Sequence, residues 1–243
     1  MYAVMFGQDG SWNDFGALVQ AEDATFRVVR RAVEFMSYPL PNNSRFERCT
    51  FEYVSDVIDN PLPLVTLWDN KGAVFSGCTF ENTTTINDYD QIGASGFFSI
   101  DATYEIKSDC DLANPPSPCP TANYTKSVFK NLNQGVYATG AATSTKTVSV
   151  EDVKFENNAI AFRVDALDRT SFIKNTVEEG SAAKNFNPRV HEYGILMENA
   201  TGFEIEQNNF IKTGTVPTIG VNIVESGPVA NEVYNNTFDG NDI

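Results

Sequence analysis

Five acidic residues recur at nearly the same point of a short repeated line: Asp69 after Leu67-Trp68, Asp101 after Ser99-Ile100, Asp165 after Arg163-Val164, Glu198 after Met197, and Glu225 after Ile223-Val224. Carboxylates stacked in one row oppose each other's ionisation unless a cation or a donor intervenes, so calcium is the ion such a row would take. Asp and Asn also suit the turn that ends a strand, a role that needs no ion. Thr139 stands at the matching place of one copy, and the offset varies by one residue, which favours turn duty. Trp68 beside Asp69 offers an aromatic face with a polar neighbour, a pairing suited to sugar rings. Arg163 with Asp165, Asp168 and Arg169 reads as exposed ion pairs of small energetic worth. Trp68, Asp69, Arg163 and Asp165 are therefore the ligand-contact candidates. His191 is the single histidine and no CxxC pair occurs, which leaves neither a zinc site nor a Ser-His-Asp triad a convincing donor set. No catalytic residue is assigned.

The charge balance narrows the partners. Seventeen basic against thirty-two acidic residues leave a net charge of −15, a field that repels nucleic acid and anionic lipid. No run approaches the roughly 18 apolar residues of a membrane span. Cys110 and Cys119 flank a proline-rich loop that a disulfide would staple, which points to an oxidising, extracellular setting. Cys49 and Cys78 take the same place in successive copies of a repeat, where a buried thiol acts as a small hydrophobe.

That repeat is what must position any site. A six-residue phrase closing on Phe returns at Ala21–Phe26, Phe46–Phe51, Phe75–Phe80, Tyr124–Phe129, Val150–Phe155, Leu167–Phe172, Ile205–Phe210 and Val233–Phe238. The closing Phe residues are separated by 25, 29, 49, 26, 17, 38 and 28 positions. A period near 25 with long insertions implies a solenoid, because each unit buries its apolar face only against its neighbours. A second line, small residue then alternating apolar ones, recurs at Ala32-Val-Glu-Phe35, Gly135-Val-Tyr-Ala138, Ala159-Ile-Ala-Phe162, Gly194-Ile-Leu-Met197 and Gly220-Val-Asn-Ile223. Period-two alternation in short pieces is strand chemistry. Each coil then holds at least two strands, with room for a third. Phe26, Phe51, Phe80, Phe129, Phe155, Phe172, Phe210 and Phe238 should stack as one interior column. Trp12, Trp68, Tyr89, Tyr104, Tyr124 and Tyr193 stand outside it. Insertions at Thr83–Ser95, Ser108–Asn123 and Glu178–Glu192 should project as loops.

Cys-Thr-Phe-Glu-Asn at 78–82, Val-Lys-Phe-Glu-Asn-Asn at 153–158 and the Gly-Val/Ile lines resemble right-handed parallel β-helix repeats of the pectin-lyase-like kind. Such repeats are common in secreted proteins of Bacteroidota, many carrying a sorting domain for type IX secretion. The resemblance covers about Ala17 to Phe238. It implies an all-β, right-handed parallel β-helix of about eight coils with long inserted loops and uncapped ends. It further implies one segment over 1–243, a fragment of a longer chain or a subunit covered by neighbours. The same repeats serve lyases, hydrolases, tailspikes and adhesins, so fold alone names no activity. Polygalacturonase-like hydrolases carry Asn-Thr-Asp, Asp-Asp, Gly-His-Gly and Arg-Ile-Lys motifs, and none of them occurs here. The expected role is a non-catalytic, secreted or surface-exposed rod, a spacer or an adhesive surface for glycan or protein. The alternatives are a pectin-lyase-like polysaccharide lyase or hydrolase and a trimeric tailspike-like fibre. No cofactor is expected beyond calcium at the acid row.

Overall fold

The computed structural model describes residues 2–6 (backbone only), 18–28, 30–36, 41–54, 62–84, 95–112, 116–141, 144–181, 191–227 and 229–242. Trp12, Tyr89 and most of the insertions 83–95 and 178–192 lie outside the described residues.

Three parallel sheets of eight strands each wind into a β-solenoid. Sheet A runs from Tyr2–Phe6 through Arg31–Met36, Val65–Trp68, Phe97–Ile100, Gln134–Thr139, Ile160–Asp165 and Glu192–Glu198 to Thr218–Val224. Sheet B consists mostly of three-residue strands, such as Arg45–Glu47, Ser171–Ile173 and Glu204–Glu206, with longer ones at Lys71–Ser76 and Thr103–Lys107. Sheet C carries the phrase-closing strands, such as Thr50–Tyr53, Ser127–Lys130 and Thr176–Glu179. The third strand left open by the sequence is thus present in every coil. Helix is limited, among the described residues, to one 3-10 turn at Thr121–Asn123. The enclosed cylinder amounts to about six turns rather than the eight expected, because the first and last strands of each sheet have a neighbour on one side only. At the uncapped final turn, Phe238 is 51% and Val233 47% exposed.

The Phe column exists, with one correction. Sheet C pairs Phe26 with Phe51, Phe51 with Phe80, Phe80 with Phe129, and Phe129 with Phe155. The next member is Val177, followed by Phe210 and Phe238. Phe172 belongs to sheet B, paired with Val150 and Ile205. The true phrase in that turn is Phe172–Val177, and the spacing of 17 signalled the slip. There the aromatic volume comes from Phe172 stacked on Phe162 of sheet A at 4.9 Å. Tyr124 is misplaced too: it pairs with Cys110 in a small antiparallel hairpin, while Ile106 holds its place in sheet B.

Small residues open the sheet A lines because a larger one would strike the Phe column. A Cβ at Gly135 would sit 2.8 Å from the Phe155 ring and 2.5 Å from the Ala161 carbonyl oxygen. The residue opposite Gly135 is Ala161, not Ala159, since Gln134 pairs with Ile160.

The corner between sheets B and C is a two-residue turn whose first residue lies in the left-handed region: Asp23, Arg48, Gly77, Asp152, Lys174, Gln207 and Asn235. Asn residues brace this corner inside the later coils. Asn175 donates to the Val150 carbonyl at 3.0 Å and accepts from the Val153 N–H at 2.8 Å; Asn208 repeats the pattern onto Phe172 and Asn175. Earlier coils fill the position with Cys49, Cys78 and Ser127. The thiol of Cys78 reaches the Phe46 carbonyl at 3.3 Å and that of Cys49 the Ala21 carbonyl at 3.5 Å. These buried thiols are therefore weak hydrogen-bond members of a ladder as well as apolar filling.

Candidate ligand-contacting face

Every other residue of a sheet A strand points outward, and register stacks these residues into columns. One column reads Thr66, Phe98, Tyr137, Arg163, Leu196, Asn222. The next reads Trp68, Ile100, Thr139, Asp165, Glu198, Val224. Phe98 and Tyr137 rings lie 5.3 Å apart, and the Arg163 guanidinium sits 4.6 Å above the Tyr137 ring. Arg163 also donates to Glu198 at 3.0 Å. Burial pushes the Tyr137 hydroxyl upward in pKa, against the pull of Arg163. Trp68 is 45% exposed, the most open aromatic of this face among the described residues. It stands three strand spacings from Asp165, about 14 Å.

The five acids do not form one row. Asp69, Asp101 and Glu225 occupy the left-handed turn position after the strand, in register with Gly140, Ala166 and Asn199. Asp165 and Glu198 lie one residue earlier, as adjacent partners on the last strand position. Four of the five have protein partners. Asp69 accepts from Lys146 at 2.9 Å, Asp101 from the Ala141 N–H at 2.9 Å, Asp165 from Asn199 at 3.3 Å, and Glu198 from Arg163. Among the described residues no group of three or more His, Cys, Asp or Glu side chains could hold a metal ion. Of the ligand candidates, Trp68 and Asp69 share one strand end, and Arg163 and Asp165 share another.

Cys110 and Cys119 are joined by a disulfide, which marks an oxidising environment. The hairpin they close is tied to the cylinder by Arg48, which reaches Asp109 at 2.6 Å and Asp23 at 2.9 Å and also pairs with Glu22. A recess of about 360 Å3 lined by Gln20, Ala21, Glu22, Arg45 and Glu47 lies on sheet B, a different wall from the aromatic face.

One feature escaped the sequence reading. Glu179, inward at the end of its sheet C strand, and Glu192, at the start of the next sheet A strand, are 2% and 3% exposed. Glu192 accepts from the Gly180 N–H at 2.6 Å. Its other oxygen and both oxygens of Glu179 find no hydrogen-bond partner among the described residues. Burial, then the charge of Glu192, holds the Glu179 carboxyl well above the ordinary range, and burial pushes Glu192 up to about 7. The available signal was position: Glu179 follows the column residue Val177 by two, where Tyr53 and Asn82 point inward in other coils.

The fold defines the class: an all-β, parallel β-solenoid with a disulfide-closed hairpin on its wall. Comparison with protein-family models, curated proteins and solved structures finds no match for this chain.

Proposed function

We propose that the chain is a segment of a secreted or cell-surface β-solenoid, of the pectin-lyase-like kind its repeats resemble, acting as a rigid glycan-contacting surface without chemistry of its own. The observation that carries this reading is the outer face of sheet A, where Trp68 is exposed in the column beside the one holding Phe98, Tyr137 and the Arg163 cation, one strand from Phe98 and three from Arg163. Flat aromatic faces beside hydrogen-bonding groups suit sugar rings. A net charge of −15 repels polyanions, so the ligand is an uncharged polysaccharide. The disulfide supports an exported location.

The test is retention on insoluble and gel-embedded polysaccharides, neutral and acidic, for the whole chain and Trp68→Ala. Neutral glycan should retard the protein, and the variant should bind about tenfold more weakly, roughly 1.4 kcal/mol, with unchanged melting. Equal retention of both proteins, or none of either, would overturn the proposal. New reducing or unsaturated ends in the same incubations would favour a polysaccharide lyase or hydrolase instead, and a trimeric mass in solution would favour the fibre reading.

A further inference from the structure

Buried carboxylates without a counter-charge are expensive, because desolvation penalises the ionised form. Among the described residues the Glu179–Glu192 pair is such a case, and its place in the fold gives it leverage. Glu179 ends a strand of sheet C and Glu192 begins the following strand of sheet A, so the two close one corner of the cylinder. Among the described residues a single short bond, from the Gly180 N–H to Glu192, joins the two strand ends across that corner.

Among the described residues the surroundings supply little positive charge. Toward the preceding coil lie Asn157, Asn158 and Ala159, and of these the Asn158 N–H favours the Glu179 anion electrostatically without reaching hydrogen-bond geometry. Glu156 and Glu178 face outward, each within reach of Lys154. On the following coil Lys212 is in register with Glu179, but its ammonium is held 2.7 Å from Asp242. Asp242 also accepts from the Thr218 N–H at 2.7 Å, and Thr218 is the register partner of Glu192. Arg163 on the neighbouring strand is engaged by Glu198. His191 precedes Glu192, and its Nδ1 is buried without a hydrogen-bond partner among the described residues.

We propose that Glu179 and Glu192 form a proton-holding latch that closes the corner between sheets C and A at mildly acidic pH and loosens it in alkaline solution. A proton on Glu179 removes the repulsion and gives its carboxyl a donor. When both groups ionise, two like charges face each other in a dry corner and the strand ends separate. The folded chain holds these protons more tightly than the unfolded chain, whose carboxyls titrate near 4.3. The latch therefore contributes its full stability below that value. It loses that stability progressively as pH rises above it, the share of Glu192 being gone by about 7 and that of Glu179 only at higher pH.

Two measurements test the latch, both at fixed ionic strength and with a chelator present. Hydrogen exchange on the whole protein should show protection at Gly180 and Glu192 falling as pH rises above about 4.3, beyond the intrinsic rate, by up to about tenfold per pH unit for each carboxyl still protonated in the closed corner and ionised in the open one, with the Glu192 share ending at about 7. Protection at Phe51, far along the cylinder, should hold constant. Thermal melting from pH 4.5 to 9 should show Glu179→Gln, and separately Glu192→Gln, melting above wild type at pH 8.5 and within about 2 °C of it at pH 4.5. Corner amides that track Phe51, or variants whose pH profile parallels the wild type, would overturn the proposal. So would a corner whose alkaline loosening is abolished when calcium replaces the chelator, since a metal ion would then be the balancing charge.

Discussion

Removing the Phe129 ring is the sharpest test of the column that organises this solenoid. The ring is fully buried, stacked on Phe80 at 4.5 Å and on Phe155 at 5.1 Å, with Phe97 edge-on at 6.4 Å. Gly96 closes the fourth side so tightly that an added Cβ would lie 2.7 Å from the ring. Strands in register on both sides hold the walls apart, so the site has little freedom to collapse, and Phe129→Ala should cost about 3–5 kcal/mol. Phe238 is the internal control. It has one stacking partner, Phe210 at 4.9 Å, and is already 51% exposed. About half its transfer free energy is at stake, so Phe238→Ala should cost roughly 1 kcal/mol. For a chain of this length each kcal/mol moves the melting midpoint by about 2–4 °C. Calorimetry should therefore place Phe129→Ala about 6–20 °C below wild type and Phe238→Ala only about 2–4 °C below. Two variants melting within about 2 °C of each other would refute the register derived above.

Two further outcomes follow from the corner ladder and the hairpin. Cys78→Asn should melt at or slightly above wild type, by up to about 1 kcal/mol, because the amide would take the role of Asn175 and donate to the Phe46 carbonyl. If Cys78 is only apolar filling, burying an unpaired amide there should cost about 1–3 kcal/mol instead, and urea unfolding separates the two. Replacing both Cys110 and Cys119 by Ser removes a cross-link over nine positions, roughly 2–3 kcal/mol of local order. Limited proteolysis should then cut the hairpin up to about a hundredfold faster while the cylinder melts as before; unchanged cleavage would show that Arg48 alone holds it.

Much of the fold was legible because the interior repeats one demand in every turn. Phe at a spacing near 25 residues announced the column, and a small residue at the head of each sheet A line recurred visibly, although only the structure shows that it faces a Phe ring. The column was misread only where its own rule relaxed, since Val177 satisfies the position as well as Phe does. Sheet B was faint for a different reason: strands such as Glu204–Glu206 show one inward residue between two polar ones, too short for alternation to register. The acid row failed on a one-residue offset. In a strand such an offset moves a side chain to another face, so Asp165 and Glu198 part from Asp69, Asp101 and Glu225. Glu179 was passed over because charged residues are rarely fully buried, and sequence gives no measure of burial for an isolated Glu.

The contrast between the two sides of sheet A shows where function has room to reside. Inside, neighbouring coils repeat chemistry: Gly135, Gly194 and Gly220 each meet a Phe ring, and departures such as Ala161 stay small. Outside, the column Thr66, Phe98, Tyr137, Arg163, Leu196 changes chemistry at almost every step, although backbone pairing is the same throughout. Pairing sets no requirement on those side chains, and a spacer needs only that they be soluble. Two aromatic rings and a guanidinium in successive coils, with an exposed Trp68 in the next column, exceed that need. Large rings on an outward face are more than mechanical stiffness requires, and that excess is the ground of the proposal that this face meets a ligand.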